Sequence, residues 1–260
     1  MKMFDIHSHI LPGVDDGAAD EAEAVAMAEM AAADGITHMI ATPHTGDSRF
    51  DTASQPVLER VASLNRTLRR RSIGVEVLPG QEVRAGRRTL EDAAAGRLLT
   101  LGGSRYLLLE LPSSMDERTA IELLHELRMV HMLPVIAHPE RHKRLATDPE
   151  ALQRLVEAGA LAQVNAASLL GDNGRAIRRA VRAFVRRGLV HAVASDTHNT
   201  QRRPPGLAAA YNELAMLGGG ALVRTLRDNA RRIAHDLPVV QVAPAGPRLG
   251  WLSRRLSRRV

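Results

Sequence analysis

Near the amino terminus the stretch DIHSHILPGVDDG (Asp5–Gly17) sets His7 and His9 one residue apart, follows them with a Gly-containing turn, and then places Asp15 beside Asp16. In an extended chain residues i and i+2 project to one side, so the two imidazoles share their surroundings. Burying two imidazoles without partners costs more than burying two valines. A shared metal ion accounts for the pair, and the same donor chemistry recurs downstream. His44 lies in ATPH, Glu82 in PGQE, Glu110 in LLLEL, His138 in VIAHPER, and Asp196 with His198 in ASDTH. Asp16, at the foot of the turn, adds a further ligand, whereas Asp15 is expected to cap a helix starting near Ala18.

Five histidines and four carboxylates exceed the needs of one ion. They fit two or three ions that share bridging carboxylates and keep positions open for water. Nitrogen and oxygen donors without sulfur suit manganese, iron, zinc or cobalt, with magnesium also allowed. Three divalent ions against four carboxylates leave roughly +2, a surplus suited to a phosphate ester dianion. Arg141, three residues after His138, and Arg203, five after His198, would sit on loops at the rim of such a site. There a guanidinium can hold phosphate oxygens in a bidentate fork. Each residue alone has an ordinary surface or core reading, and it is their common position at strand ends that argues for one site. Asn165 closes a strand that supplies no ligand and can hydrogen-bond within the site or serve as a plain strand-end amide.

The elements that must position these groups are legible as alternation. Seven short apolar runs read as strands: 3–6, 36–42, 74–80, 106–111, 133–137, 161–165 and 189–195. Helical patterns lie between them near 18–34, 52–71, 88–95, 117–131, 149–158, 173–187 and 205–217, several ending at Gly35, Gly159 or Gly188 as left-handed caps prefer. This is the pattern of parallel strands joined by helices. No Gly-x-Gly-x-x-Gly follows the first strand, which weakens a dinucleotide-binding sheet. The expected fold is an α/β, distorted seven-stranded (β/α) barrel, whose ligands converge on the C-terminal face of the strands.

Composition narrows the function further. With 260 residues and 45% hydrophobic content the chain can bury one substantial core. One domain is expected over 1–240, with a basic, flexible tail at 241–260. The chain has no cysteine, which removes disulfides, thiolate metal sites and a cysteine nucleophile. Five of its 35 basic residues lie within 248–260 without an acid, leaving 30 basic against 29 acidic groups elsewhere, so no nucleic-acid partner is expected. In that tail Trp251, Leu252 and Leu256 stand among arginines and can form a weak contact with an anionic membrane surface. With no run of about 18 apolar residues and no signal-peptide pattern, the expected location is cytoplasmic, with peripheral contact at the inner membrane face.

DIHSHILPGVDDG, ATPH, PGQEVR, LLLELP, PVIAHPER, QVN and ASDTHN with RRPP resemble, in order from residue 3 to about 236, the PHP superfamily of polymerase and histidinol phosphatase domains. Within it the chain is most similar to bacterial protein tyrosine phosphatases of the CpsB/CapC/YwqE type. The resemblance implies a distorted (β/α)7 TIM-like barrel and a trinuclear, usually manganese-favouring site. It implies the ligands His7, His9, Asp16, His44, Glu82, Glu110, His138, Asp196 and His198, with Glu82 bridging. Arg141 and Arg203 would bind phosphate. The implied substrate is the phosphotyrosine segment of a membrane-associated bacterial tyrosine kinase controlling capsule or exopolysaccharide synthesis, and a homo-oligomer is compatible with the family.

The missing cysteine agrees with this, because a tyrosine phosphatase without a thiolate must use metal-activated water. His44 and His198 are the nearest groups for protonating the leaving oxygen. Histidinol-phosphate phosphatase is the alternative within the superfamily, and a non-catalytic metal-binding regulatory module is the alternative outside enzymes. An amidohydrolase commonly places a lysine where this chain has Glu82, and its lysines are Lys2 and Lys143 alone. A polymerase-associated nuclease draws little support from the neutral body. The remaining histidines, His38, His125, His131, His142, His191 and His235, are expected in structural or surface roles.

Overall fold

The structure, a computed structural model, describes residues 2–244. The expected basic tail, from residue 245 onward, lies outside the described residues. Nine parallel strand segments run in chain order: β1 (Phe4–Ser8), β2 (His38–Ala41), β3 (His44–Thr45), β4 (Glu76–Pro79), β5 (Glu82–Arg84), β6 (Tyr106–Glu110), β7 (Leu133–Ala137), β8 (Leu161–Asn165) and β9 (Ala192–Ala194). All seven expected strands are present, and the second and third each break and resume. Pro43, which has no N–H to give, lies between β2 and β3, and Gly80 with Gln81 lies between β4 and β5. The break changes partners. The first halves form the sheet β1-β2-β4, and the second halves open the sheet β3-β5-β6-β7-β8-β9.

The last strand returns to the first at the C-terminal ends. Ser8 bridges Thr197 in parallel, and the N–H groups of Asp196 and His9 donate to the carbonyls of His7 and Thr197 at 2.9 and 2.8 Å. The Asp5 carboxylate holds the same seam by accepting from the Ser195 N–H at 3.0 Å and from the Ser195 hydroxyl. The fold is the distorted α/β barrel expected from the alternation.

Phe4 and Ile6 pack inside this ring with Leu108, Val135, Ala137, Leu161, Ala192 and Ala194. A register irregularity between Asp5 and Ser8 then turns His7 into the same interior, a re-aiming typical of bulges beside functional sites. The larger apolar layer lies between the strands and the helices α1 (Glu21–Ala33), α2 (Ser54–Arg70), α3 (Thr89–Ala94), α4 (Glu117–Met129), α5 (Lys143–Thr147), α6 (Pro149–Glu157), α7 (Ala166–Leu170), α8 (Arg175–Arg186) and α9 (Ala208–Ala234).

Two helix expectations are corrected. α1 begins at Glu21, and its cap is Asp20, which accepts from the Glu23 N–H at 2.9 Å, so Asp15 caps no helix. The last helix runs on to Ala234 because the chain passes through Gly218–Gly220 with a kink at Gly219 (φ 80°) and recovers helical geometry beyond it. The short α5 and α7 were not anticipated. Among the described residues no helix is long and apolar enough to cross a membrane.

Candidate metal centre

β1, β6, β7 and β9 deliver candidate ligands at or just past their C-terminal ends, His44 and Glu82 open β3 and β5 beyond the two breaks, and the structure brings all nine expected residues together. Donor atoms lie within 4.8 Å of one another in four groups: His9, Asp16, His44 and His198; His7, His9 and Glu82; His7, His138 and Asp196; His44, Glu82 and Glu110. His7, His9, His44 and Glu82 recur between groups, so the groups form one continuous cluster. Asp16 returns to it because the turn folds back on the first strand. Gly13 N–H donates to the Ala18 carbonyl at 2.8 Å and Ala18 N–H to the His9 carbonyl at 3.0 Å. Gly17 sits so close that a Cβ there would lie 2.0 Å from the His9 carbonyl oxygen, so only glycine fits.

Neighbouring groups fix which nitrogen of each imidazole faces the cluster. His7 Nδ1 lies 2.9 Å from Gln163 Oε1, His9 Nδ1 2.6 Å from Asp15 Oδ2, and His198 Nδ1 3.0 Å from the Asp196 carbonyl. Each of those partners accepts, so each Nδ1 donates and each Nε2 is the nitrogen that faces the cluster. His7 Nε2 and His9 Nε2 then face one another at 3.2 Å. Glu82 Oε2 is 3.3 and 3.4 Å from them, and Asp196 Oδ1 3.4 and 3.5 Å. Glu82 Oε2 is buried, makes no hydrogen bond, and also lies 3.0 Å from His44 Nδ1. Lone pairs and carboxylate oxygens converging in a buried space repel unless a proton or cation lies among them. The donor set fits divalent ions.

The electrostatics agree. Burial alone raises the Glu82 and Asp196 carboxyls, yet His7 and the histidines around them outweigh burial and hold both well below the usual range. Burial lowers His44, and Asp16 with Glu82 outweigh it, pushing His44 up to about 9. His198 is lowered, chiefly by burial. The cluster requires positive charge, which protons supply when no ion does.

A layer of groups absent from the expected set orients the ligands. Gln163 Nε2 donates to Asn165 Oδ1 at 2.9 Å, and Asn165 Nδ2 donates to Asp196 Oδ2 at 2.6 Å. With His7 this forms one directed chain across β8, so the strand without a candidate ligand aligns candidate ligands from β1 and the end of β9. Asn165 thus bonds within the site, one of the two roles open to it. Asp15, expected as a cap, instead binds His9 and accepts from the N–H groups of His44 (3.0 Å) and Gly17 (3.0 Å). Buried Glu140 accepts from the Asn165 N–H at 2.9 Å. Sequence carried a signal for Gln163, which alternates with Asn165 on one face of a buried strand as His7 does with His9. His138 (φ 31°) and Asp196 (φ 54°) both adopt left-handed backbone, a strain that clusters at functional sites.

Arg141 and Arg203 occupy the rim as expected, with 43% and 34% of their side chains exposed. Arg141 Nη1 and Arg203 Nη2 reach the same Asp196 Oδ2 at 3.0 and 2.6 Å. A cavity of about 280 Å³ opens beside them, lined in part by Asn165, Asp196 and Arg202. Glu110 is held by Arg84 Nη1 at 2.9 Å. His142, adjacent to Arg141, caps α5 by accepting from the Leu145 N–H.

Comparison with known proteins follows the same lines. Residues 3–235 match the family described as capsular polysaccharide synthesis, CpsB/CapC. The chain is 36% identical over 242 residues to the tyrosine-protein phosphatase YwqE of Bacillus subtilis, covering 93% of this chain and 95% of that one. It is 30% identical over 240 residues to the tyrosine-protein phosphatase CpsB of Streptococcus pneumoniae, covering 90% and 99%. A crystal structure from the work on YwqE and CpsB, described as unique metal-dependent tyrosine phosphatases, superposes with a TM-score of 0.89 at 36% identity over 94% of this chain and 100% of that one. A dihydropyrimidinase from Brevibacillus agri, at 11% identity and a TM-score of 0.51, shares the fold alone. With the match spanning every strand that carries a candidate ligand, the chain belongs to the CpsB/CapC family of capsular polysaccharide synthesis proteins.

Proposed function

We propose that this protein is a metal-dependent protein tyrosine phosphatase. The observation that carries the reading is the buried Glu82 Oε2, without a hydrogen bond, among the ring nitrogens of His7, His9 and His44, with Arg141 and Arg203 converging at the rim. The named relatives are tyrosine phosphatases, and this chain has no cysteine to serve as nucleophile. Three divalent ions, manganese before iron, zinc, cobalt or magnesium, would be held by His7, His9, Asp16, His44, Glu82, Glu110, His138, Asp196 and His198. Bound there, they supply Lewis acidity toward the phosphoryl group and a nucleophile from water at neutral pH.

The protein's own groups do the rest. Asp196 holds the two guanidiniums a short distance apart, so that a phosphoryl group entering the rim meets two forked donors already oriented. Glu82, whose Oε2 lies near His7, His9 and His44 while Oε1 lies near His138, would be a shared holder of neighbouring ions. A phenolate of pKa about 10 leaves with little assistance, and His44 and His198, which both face Asp16 Oδ1 at 3.3–3.4 Å, would be the nearest groups to protonate it when not committed to an ion.

The substrate in this reading is a phosphotyrosine segment of a membrane-associated bacterial tyrosine kinase. The protein works in the cytoplasm near the inner membrane face, through residues 1–240 as one catalytic domain. The test is metal analysis by mass spectrometry combined with turnover of a phosphotyrosine peptide, histidinol phosphate and phosphoserine, before and after Glu82→Ala. Stoichiometric metal and preferred turnover of the phosphotyrosine peptide, abolished in the variant, are expected. Preferred turnover of histidinol phosphate, metal without any phosphomonoesterase activity, or full activity in Glu82→Ala would each refute the reading.

A further inference from the structure

The chain is poor in aromatics, with three Phe, two Tyr and one Trp. Of those within the described residues, Phe4, Phe184, Tyr106 and Tyr211 are 1%, 0%, 2% and 5% exposed and belong to the core. Phe50 alone is partly exposed, and it stands against the metal centre. Its ring stacks on His44 with centroids 5.9 Å apart and planes 16° from parallel. The Arg49 guanidinium lies 5.6 Å from the centre of the same ring.

The loop holds Phe50 in place. Asp51 Oδ1 accepts from the Thr45 hydroxyl at 3.1 Å and the Gly46 N–H at 3.0 Å, and the Asp47 N–H donates to the Phe50 carbonyl at 3.2 Å. Gln81 Nε2, on the β4–β5 connection, ties down the Thr52 carbonyl at 2.6 Å. An apolar ring that covers no core, fixed at the edge of a cluster of imidazoles and carboxylates, presents a surface for another ring.

We infer that Phe50 is a specificity-determining residue, forming the wall against which the aromatic ring of the substrate packs; this rests on the phosphotyrosine reading above. In an aryl phosphate the ring is one ester oxygen from phosphorus, so a phosphoryl group at the His44 edge of the cluster brings that ring beside Phe50. An aliphatic phosphate makes no such contact. Ring-on-ring contact is worth about three- to tenfold in affinity.

The test compares wild type with Phe50→Ala, Phe50→Leu and Phe50→Trp as metal-loaded proteins. Calorimetric binding of phenylphosphonate and methylphosphonate needs no turnover. Alongside it runs the ratio of kcat/KM for phenyl phosphate over glycerol phosphate. Both aromatic preferences are expected to fall about three- to tenfold in Phe50→Ala and Phe50→Leu and to persist in Phe50→Trp, with metal content unchanged. Unaltered preferences in Phe50→Leu, or loss of metal in both smaller variants, would overturn the inference in favour of simple packing support for His44. Wild type that prefers phenylphosphonate in binding yet hydrolyses no phosphomonoester would sink the phosphatase reading and leave the role of Phe50 standing. No preference in wild type would sink the role of Phe50 alone.

Discussion

His7 Nε2 and His9 Nε2 face one another at 3.2 Å while the other nitrogen of each ring is committed as a donor, His7 to Gln163 and His9 to Asp15. In the metal-free protein protons must lie among these groups, and an entering cation takes their place. The site therefore couples ion binding to fold stability. Raising manganese to about 100 times its dissociation constant should stabilise the fold by about 2.7 kcal/mol per independent site. Chelation should reverse this. Thermal melts with and without chelator check the effect, and a melting temperature indifferent to manganese would count against it.

Gln163→Leu removes the acceptor that holds His7 Nδ1–H, freeing the ring to present the wrong tautomer. Loss of such an orienting partner typically costs about 10–100-fold in metal affinity. Gln163→Glu, which keeps the acceptor for His7 but loses the donor to Asn165 Oδ1, should recover part of it. Competition against a chromophoric chelator measures the difference without recourse to turnover.

Gly17→Ala places a methyl group 2.0 Å from the His9 carbonyl oxygen. The turn must move outward and carry Asp16 with it. A destabilisation of about 1–3 kcal/mol is expected from the clash, together with metal content below that of wild type. Denaturant melts and mass-spectrometric metal counts read the two effects separately.

Arg141→Ala or Arg203→Ala leaves Asp196 Oδ2 with Asn165 and the remaining arginine as donors. Metal content should persist, while kcat/KM on a phosphotyrosine peptide falls by about 10²–10³, the usual cost of losing one transition-state donor. Retained turnover with either arginine removed would exclude that residue from phosphoryl binding.

The metal-free protein should lose stability as pH rises. His44 is raised from its ordinary 6.5 to about 9, because Asp16 and Glu82 outweigh burial. Its proton stabilises the fold fully below about 6.5, and that contribution disappears as pH passes through about 9. His38, His191 and His198 are lowered and titrate below that window. Melts from pH 7 to 9.5 in chelator should decline, whereas manganese-loaded protein, whose ring nitrogens are occupied by ions, should not follow.

The clustering of the nine donors was legible because most of them sit at the end of an apolar run, and a parallel barrel turns such positions into one face. Asp15 was misread because a helix cap is a local pattern, whereas its true partners, the His9 ring and the His44 N–H, depend on how the turn folds back. Gln163 was overlooked although it alternates with Asn165, since amides in a strand carry no metal signal. The breaks at Pro43 and Gly80 that divide two strands follow from partner exchange across the sheet, which no single run of residues displays. In α9 three consecutive glycines read as a stop. Only the packing of Ala230 and Ile233 into the barrel's lower end reveals why the helix resumes.

The seam between β1 and β9 sets an order of events during synthesis. His7 and His9 leave the ribosome nearly two hundred residues ahead of Asp196 and His198, which complete their surroundings. At ordinary elongation rates that interval is roughly ten to forty seconds. Through it the early histidines have no carboxylate partners from the far strand and no closed barrel to shelter them. The cluster of donors is therefore complete only in a chain whose final strand has already been laid beside its first.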